Sequence, residues 1–321
     1  MDAKRILKYL RQLTANNNRP WFQEHKREYD AIRADFEQGI QQAILRIATF
    51  DPSIAHLTVK DCTYRFYRDT RFSNDKSPYK NHLGAYISAH GKKSLHGGYY
   101  LHLEPDHCMV ACGNYWLPTN ILTSCRNEIM ANTDQWLRCV RSPEFLKYFG
   151  SPVASSFSAP TDVSSWDTPQ GFGLEKLKTC PSGFPRDWEY LDYLRQKDYC
   201  CWHQVPDDFY QGESWLDAIE PMFLAAKPMM DMMNAVIDDY EYSEASHNLH
   251  FNALDSVQAI PELQKPASKL GDVYARGAET CLRFGGRFCM GCINVPQFWG
   301  KILHGWQKHA SVLGEDFAWV A

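Results

Sequence analysis

The stretch Leu83 to Cys112, LGAYISAHGKKSLHGGYYLHLEPDHCMVAC, decides the fold. Three short runs within it, Leu83 to Ala89, Tyr99 to Glu104 and His107 to Cys112, are rich in aromatic and β-branched residues. Gly91, Gly97, Gly98 and Pro105-Asp106 separate them. Glycine reaches backbone conformations that other residues avoid, and proline lacks the N–H that a ladder needs, so these positions punctuate strands. The pattern predicts an antiparallel meander.

Helical patterns lie on both sides. Upstream, Ile6, Leu7, Leu10 and Leu13 recur at the spacing of one helix face within Ala3 to Leu13. NNNRP interrupts that helix, and Asn18 is placed to cap the next, because its side-chain oxygen can accept from a free amide of the first turn, where Pro20 is tolerated. Phe22, Tyr29, Ile32, Phe36, Ile40, Ile44 and Ile47 then predict one long helix from Trp21 to about Ala48, ended before Asp51-Pro52. Downstream, Pro118-Thr119 introduces a helix carrying Ile121, Leu122, Cys125, Ile129, Trp136 and Leu137. The segment Ser151 to Gly173 is rich in Ser, Pro and Gly and reads as a surface excursion. Helices are expected again over Trp188 to Lys197 and Trp215 to Tyr240.

The fold class expected is therefore α+β: an antiparallel sheet packed with several helices, including a long N-terminal one. The polar segment EYSEASHNLH follows Tyr240, and the sequence beyond it is aromatic, Gly-rich and weakly periodic. That change divides the chain into an α+β domain, residues 1–240, and a C-terminal extension or cap, residues 241–321, mainly irregular or helical.

Composition limits the function classes. At 321 residues with 44% apolar side chains, the chain can bury a core without staples. A net charge of -4 argues against coating nucleic acid or an anionic membrane by bulk attraction, while leaving room for a local basic patch. The N-terminal MDAKRILKYLRQL places charges through an amphipathic segment and lacks a secretory pattern. No run reaches the roughly 18 apolar residues that a membrane helix needs. The eleven cysteines are scattered and odd in number, so reduced thiols in a cytoplasmic protein are the expectation. No G-x-S-x-G elbow, phosphate-binding P-loop, H-E-x-x-H or dinucleotide fingerprint is present.

The densest chemistry lies in Arg65 to Lys80, RFYRDTRFSNDKSPYK. Arg65, Arg68, Arg71, Lys76 and Lys80 stand against Asp69 and Asp75. Arginine presents a rigid fork suited to phosphate or carboxylate oxygens, and lysine a compact charge. Phe66, Tyr67, Phe72 and Tyr79 can anchor the segment or stack on a planar ligand. Ser77-Pro78 restricts the chain ahead of Tyr79 and Lys80, which predicts a turn. The same residues fit an internal Arg-Asp network tying a loop to the long helix.

Two metal-ligand patterns stand beside it. In an extended Tyr99 to Glu104, Tyr100, His102 and Glu104 share one face, and His82 across the sheet would complete two histidines and one carboxylate. Near the C-terminus, Cys289, Cys292, His304 and His309 have the spacing C-x2-C-x11-H-x4-H, close to that of a zinc finger. A divalent metal or zinc is the cofactor either set would take, although neither pattern firmly implies one.

With Arg65-x2-Arg68-Asp69-x-Arg71-Phe72, then Asp75-Lys76 and Pro78-Tyr79-Lys80, the chain resembles the DUF2461 family, also called TIGR02453, of uncharacterised bacterial and fungal proteins. Supporting matches are Asn17, Trp21-Phe22, Tyr29, Gly98-Tyr99-Tyr100, Trp116-x-Pro118, Arg126, Leu177-Lys178 and Pro181-x-Gly183, over roughly residues 4–240. The resemblance implies an intracellular α+β protein and carries over no catalytic residue.

Three functions follow as expectations. The first is a small-anion site, for a phosphorylated or carboxylated small molecule, formed by Arg65, Arg68, Asp69, Arg71, Asp75, Lys76, Tyr79 and Lys80, with enzymatic activity an open question. The second is a nucleic-acid accessory protein whose aromatics stack on exposed bases. The third is a noncatalytic structural or interaction protein in which the Arg-Asp pairs face inward. Membrane is excluded as a partner, and the sequence leaves the oligomeric state open.

Overall fold

The computed structural model describes residues 1–71, 73–151 and 170–258. The chain divides into two units, Met1–Tyr240 and Glu241–Ala321, and the side chains discussed below belong to the first. Phe72, the segment 152–169 of the expected surface excursion, and Cys289, Cys292, His304 and His309 lie outside the described residues.

The N-terminal periodicity becomes α1 (Ala3–Ala15), with Ile6, Leu7, Leu10 and Leu13 buried and the Asp2 side chain accepting from the Arg5 amide. Asn18 caps α2 (Arg19–Glu24) by accepting from the Trp21 amide at 3.0 Å. The long helix is expected to be continuous but is broken at His25, and α3 runs over Lys26–Ala48. His25 Nδ1 sits 2.9 Å from the Trp21 carbonyl, and its ring stacks on Trp21 at 4.0 Å. A side chain bonding to the backbone four residues back competes with the helical ladder, which accounts for the break. A short helix, α4 (Val59–Cys62), leads toward the sheet.

Strands β1 (Leu83–Ile87), β2 (Gly98–Leu103) and β3 (Met109–Asn114) form the expected antiparallel meander. Two further strands escape the sequence reading: β4 (Gln170–Phe172) and β5 (Tyr199–Gln204). They extend the sheet to five strands in the order β1-β2-β3-β5-β4. The helices read as 118–137 and 188–197 are α5 (Thr119–Ala131) with α6 (Thr133–Val140), and the shorter α8 (Leu191–Arg195). Helix α7 (Pro143–Phe149) lies between, capped by Ser142. Helix α9 (Trp215–Gln258) carries Pro221 and Pro228 within it.

The two faces of the sheet have different fates. Tyr99, Leu101 and Leu103 of β2, with Val110 and Cys112 of β3 and Tyr199 and Cys201 of β5, join the helices in one core. Tyr99 packs on Phe223 of α9 at 4.8 Å, and Trp136 of α6 meets Tyr199 edge-on at 5.4 Å. On the opposite face, among the described residues, a small cluster of Met109, Ala111 and Trp202 forms, with Tyr100 and Leu174 against it. Gly113 has φ of +101°, and a Cβ there would stand 2.2 Å from the Tyr199 carbonyl oxygen, so only glycine lets β3 and β5 approach at this point. The eight described cysteines are free thiols, and Cys112 and Cys201 face each other with sulfurs 3.4 Å apart. Among the described residues no helix is long and apolar enough to cross a membrane.

Buried Arg126 of α5 ties the helical layer to the entry of β5, donating to the carbonyls of Leu194 at 2.7 Å and Gln196 at 3.0 Å. Arg126→Met keeps the length and removes both bonds, leaving two carbonyls without a donor. Urea unfolding is expected to show a loss of about 2–4 kcal/mol relative to the wild type.

Candidate functional site

The charged segment forms a narrow hairpin beside the sheet edge. Thr63 bridges Ala85 of β1, and Tyr67 bridges Tyr79. The Arg68 amide donates to the Pro78 carbonyl at 3.0 Å, and the Lys80 amide to the Phe66 carbonyl at 3.0 Å. Aromatic rings anchor it: Tyr79 stacks on Phe22 at 4.1 Å, and Phe66 lies 4.6 Å from Tyr29. Asn17 clamps the same point, its side chain bonding both the amide and the carbonyl of Tyr79. Phe66 and Tyr79 are thus buried supports, while Tyr67 is 52% exposed.

The arginines of the hairpin divide by partner. Arg71 grips Asp69 with Nε at 3.0 Å and a terminal nitrogen at 2.7 Å, and this pairing holds the Asp69 carboxyl at about 2. Arg68 pairs with Asp75, which also accepts from the Ser77 amide at 2.9 Å. The Ser77 hydrogen bonds and Arg68 hold the Asp75 carboxyl below the usual range. Lys76 bonds the Thr70 carbonyl across the loop at 2.9 Å. These pairs are exposed, so each contributes modestly to stability. They organise the hairpin tip as an internal network.

Arg65 and Lys80 are committed differently. Arg65 reaches Asp69 only at 4.0 Å and is 71% exposed. Lys80 is partly buried, with Nζ 5.1 Å from the centre of the Tyr64 ring. Among the described residues no carboxylate lies within ion-pair distance of Lys80, and burial with the like charges of Arg65 and Arg33 lowers its pKa.

Lys80 leads directly into Asn81, His82 and β1, and here a histidine-carboxylate cluster forms. Strand pairing sets Gly84 opposite His102, so the polar side chains of β2 lie alongside the start of β1. One ligand atom each from His82, His102 and Glu104 lies within 4.8 Å of the others. The His82 and His102 rings are 4.6 Å apart between centres. His102 Nε2 is 2.9 Å from Glu104 Oε2, and its Nδ1 is 2.8 Å from Tyr100 Oη. An ionised carboxylate only accepts, so Nε2 is the donor toward Glu104, while Nδ1 and the tyrosine hydroxyl share a hydrogen bond whose direction follows the tautomer of the ring. Asn81 spans the cluster, donating to the other oxygen of Glu104 and placing its own oxygen 3.1 Å from His82 Nδ1. Burial, then the charges of His102, Lys80 and Arg68, push the His82 imidazole down to about 2, so it stays neutral at physiological pH. A neutral imidazole can ligate a metal or accept a proton.

Asn81 and Tyr100 join this site although sequence reasoning assigned neither a role in it. Tyr100 was legible only as sharing the face of His102, and the contribution of Asn81 depends on strand register. A concavity of about 270 Å³ lies elsewhere, on the helical side, and is lined in part by Asp51, His90, His96, Asp231 and Asp238. Its carboxylates are engaged internally: Asp51 by Tyr99 Oη at 2.8 Å, Asp231 by Lys227 at 2.7 Å, and Asp238 by His96 at 2.8 Å.

The fold and this site define an α+β protein with a polar cluster on the sheet face opposite its main core, flanked by a basic hairpin. The chain belongs to the family described as Conserved hypothetical protein (DUF2461), whose sequence profile matches residues 5–232. No curated protein matches the chain, and no solved structure does.

Gly84 is the position on which the cluster turns. A Cβ there would stand 2.7 Å from Tyr100 Oη and 3.2 Å from two ring carbons. Gly84→Ala is expected to displace the tyrosine from His102 and to cost about 1–3 kcal/mol in urea unfolding. Tyr100→Phe, which removes only the hydroxyl, is expected to cost about 1 kcal/mol.

Proposed function

We propose that the protein binds a small molecule bearing a phosphate or carboxylate, held by Arg65 and Lys80 beside the His82-His102-Glu104 cluster. The observation that carries this reading is the placement of Lys80. It is a partly buried ammonium crowded by Arg65 and Arg33, with no ion-pair carboxylate among the described residues. A cation held in that setting gains most from an incoming anion, since each charge-assisted hydrogen bond contributes about 1.5–3 kcal/mol. Arg68, turned partly toward Asp75, adds positive potential near His82. Asp69, Arg71, Asp75 and Lys76 serve the hairpin, and Tyr79 anchors it. The reading in which Arg-Asp pairs are internal scaffolding therefore applies to the hairpin tip, and the ligand-binding reading to its base. The nucleic-acid reading draws on exposed Tyr67, but the tip arginines are already matched by Asp69 and Asp75, which favours a small ligand.

Full-length protein in a thermal-shift panel of sugar phosphates, nucleotides and di- and tricarboxylates is expected to give stabilisation by at least one anionic class. Lys80→Met and Arg65→Gln should each weaken that binding about tenfold or more, corresponding to loss of one charged hydrogen bond. Arg71→Ala should leave it unchanged. No stabilising compound, or one equally effective on the Lys80 variant, would refute the proposal.

A further inference from the structure

We infer that His82, His102 and Glu104 form a binding site for a divalent first-row transition-metal ion, of which zinc is the simplest. Two histidines and one carboxylate, with coordination positions left for water or ligand, suit such an ion. The donor atoms lie within 4.8 Å of one another, and all three residues belong to β2 or directly flank the paired strands β1 and β2. His102 is on β2, Glu104 directly follows that strand, and His82 directly precedes β1.

The surrounding hydrogen bonds are those that orient metal ligands. Asn81 holds one oxygen of Glu104 and lies against Nδ1 of His82. When His82 Nδ1–H donates to Asn81 Oδ1, Nε2 is the unprotonated ring atom. Tyr100 Oη lies against Nδ1 of His102, leaving Nε2 and Glu104 Oε2 paired with each other at 2.9 Å. The ion takes the place of the proton between those two atoms. That proton is exchanged through solvent onto Nδ1, so the ring stays neutral; Nδ1–H then donates to the tyrosine oxygen, whose own hydroxyl proton turns away from the ring. The aromatic and apolar neighbours Tyr100, Met109, Ala111 and Trp202 cover the sheet beside the site and limit competition from water.

The adjacent cations give the site a further property. Lys80 stands two residues before His82 on the same segment, and its positive charge opposes a bare divalent ion and favours an ion accompanied by an anion. Metal and anion should therefore tighten each other's binding, by the reciprocity of linked equilibria. This coupling rests on the proposed anion site; the metal ligands do not.

The test uses tag-free, full-length protein stripped with a chelator under reducing conditions and titrated with cobalt(II) and zinc(II), with and without inorganic phosphate. One cobalt per chain is expected at this site, with visible d–d bands and no thiolate charge-transfer band. His82→Gln and Glu104→Gln should abolish that signal, and Asn81→Ala should weaken binding about tenfold. Circular dichroism of each variant reports folding, and Glu104→Gln preserves the side-chain shape. The double variant Cys289→Ser/Cys292→Ser should retain the signal. A thiolate band with no nitrogen-oxygen site, no binding, or binding indifferent to both His82→Gln and Glu104→Gln would overturn the metal assignment. Metal binding unaffected by phosphate would support the metal site and count against the anion site. Anion-induced stabilisation in metal-free protein without cobalt binding would do the reverse.

Discussion

The pairing of Gly84 with His102 across β1 and β2 sets the geometry on which the candidate site depends. It leaves the space over Gly84 that the Tyr100 ring occupies, and it brings His82, which precedes β1, alongside His102 and Glu104. Because side chains alternate along a strand, a slip by one residue would send Tyr100 and His102 into the helical core and bring Tyr99, Leu101 and Leu103 out. That alternative is costly. Tyr99, Leu101 and Leu103 are buried among the helices, and Tyr99 also hydrogen-bonds the buried Asp51. The same hydrophobic burial that stabilises the fold thus fixes the polar cluster on the opposite face.

The basic hairpin is positioned by a second set of constraints that converge on the same edge. Its backbone pairs at Phe66 with Lys80 and at Arg68 with Pro78, and its aromatic rings sink against Phe22 and Tyr29. Carboxylates at the tip answer the arginines there, while at the base Arg65 reaches Asp69 only at 4.0 Å and Lys80 has no carboxylate within ion-pair distance among the described residues. The segment is consequently two structures in one motif: a self-paired tip and a cationic base that adjoins neutral His82. The family membership shown for residues 5–232 covers both, together with the whole cluster.

How much of this was legible in the sequence follows from which signals were local. The β1-β2-β3 meander was readable because glycine and Pro-Asp punctuation separates runs with strong strand character. Strand β5, YCCWHQ, was not, since it is nearly buried throughout and shows little alternation, so its identity comes from pairing with β3. The three residues of β4 are too few to carry any period. The break at His25 depends on a side chain returning to the Trp21 carbonyl, which apolar spacing does not record. His102 and Glu104 could be placed on one face by strand alternation, whereas Asn81 enters only through three-dimensional proximity. Charge counts identified the hairpin but could not divide closely paired from loosely held cations, because that division is a matter of a few ångströms.

The central claim is that the β1-β2 edge is a ligand site, and histidine imidazoles report on it directly. Full-length, uniformly nitrogen-15-labelled protein can be titrated with the anionic compound that stabilises it best, following long-range proton-nitrogen correlations of the rings. The account predicts that the His82 and His102 resonances move together and saturate, while those of His90 and His96 in the concavity on the helical side stay in place. Saturating changes confined to His90 and His96, with His82 and His102 unmoved, would contradict it.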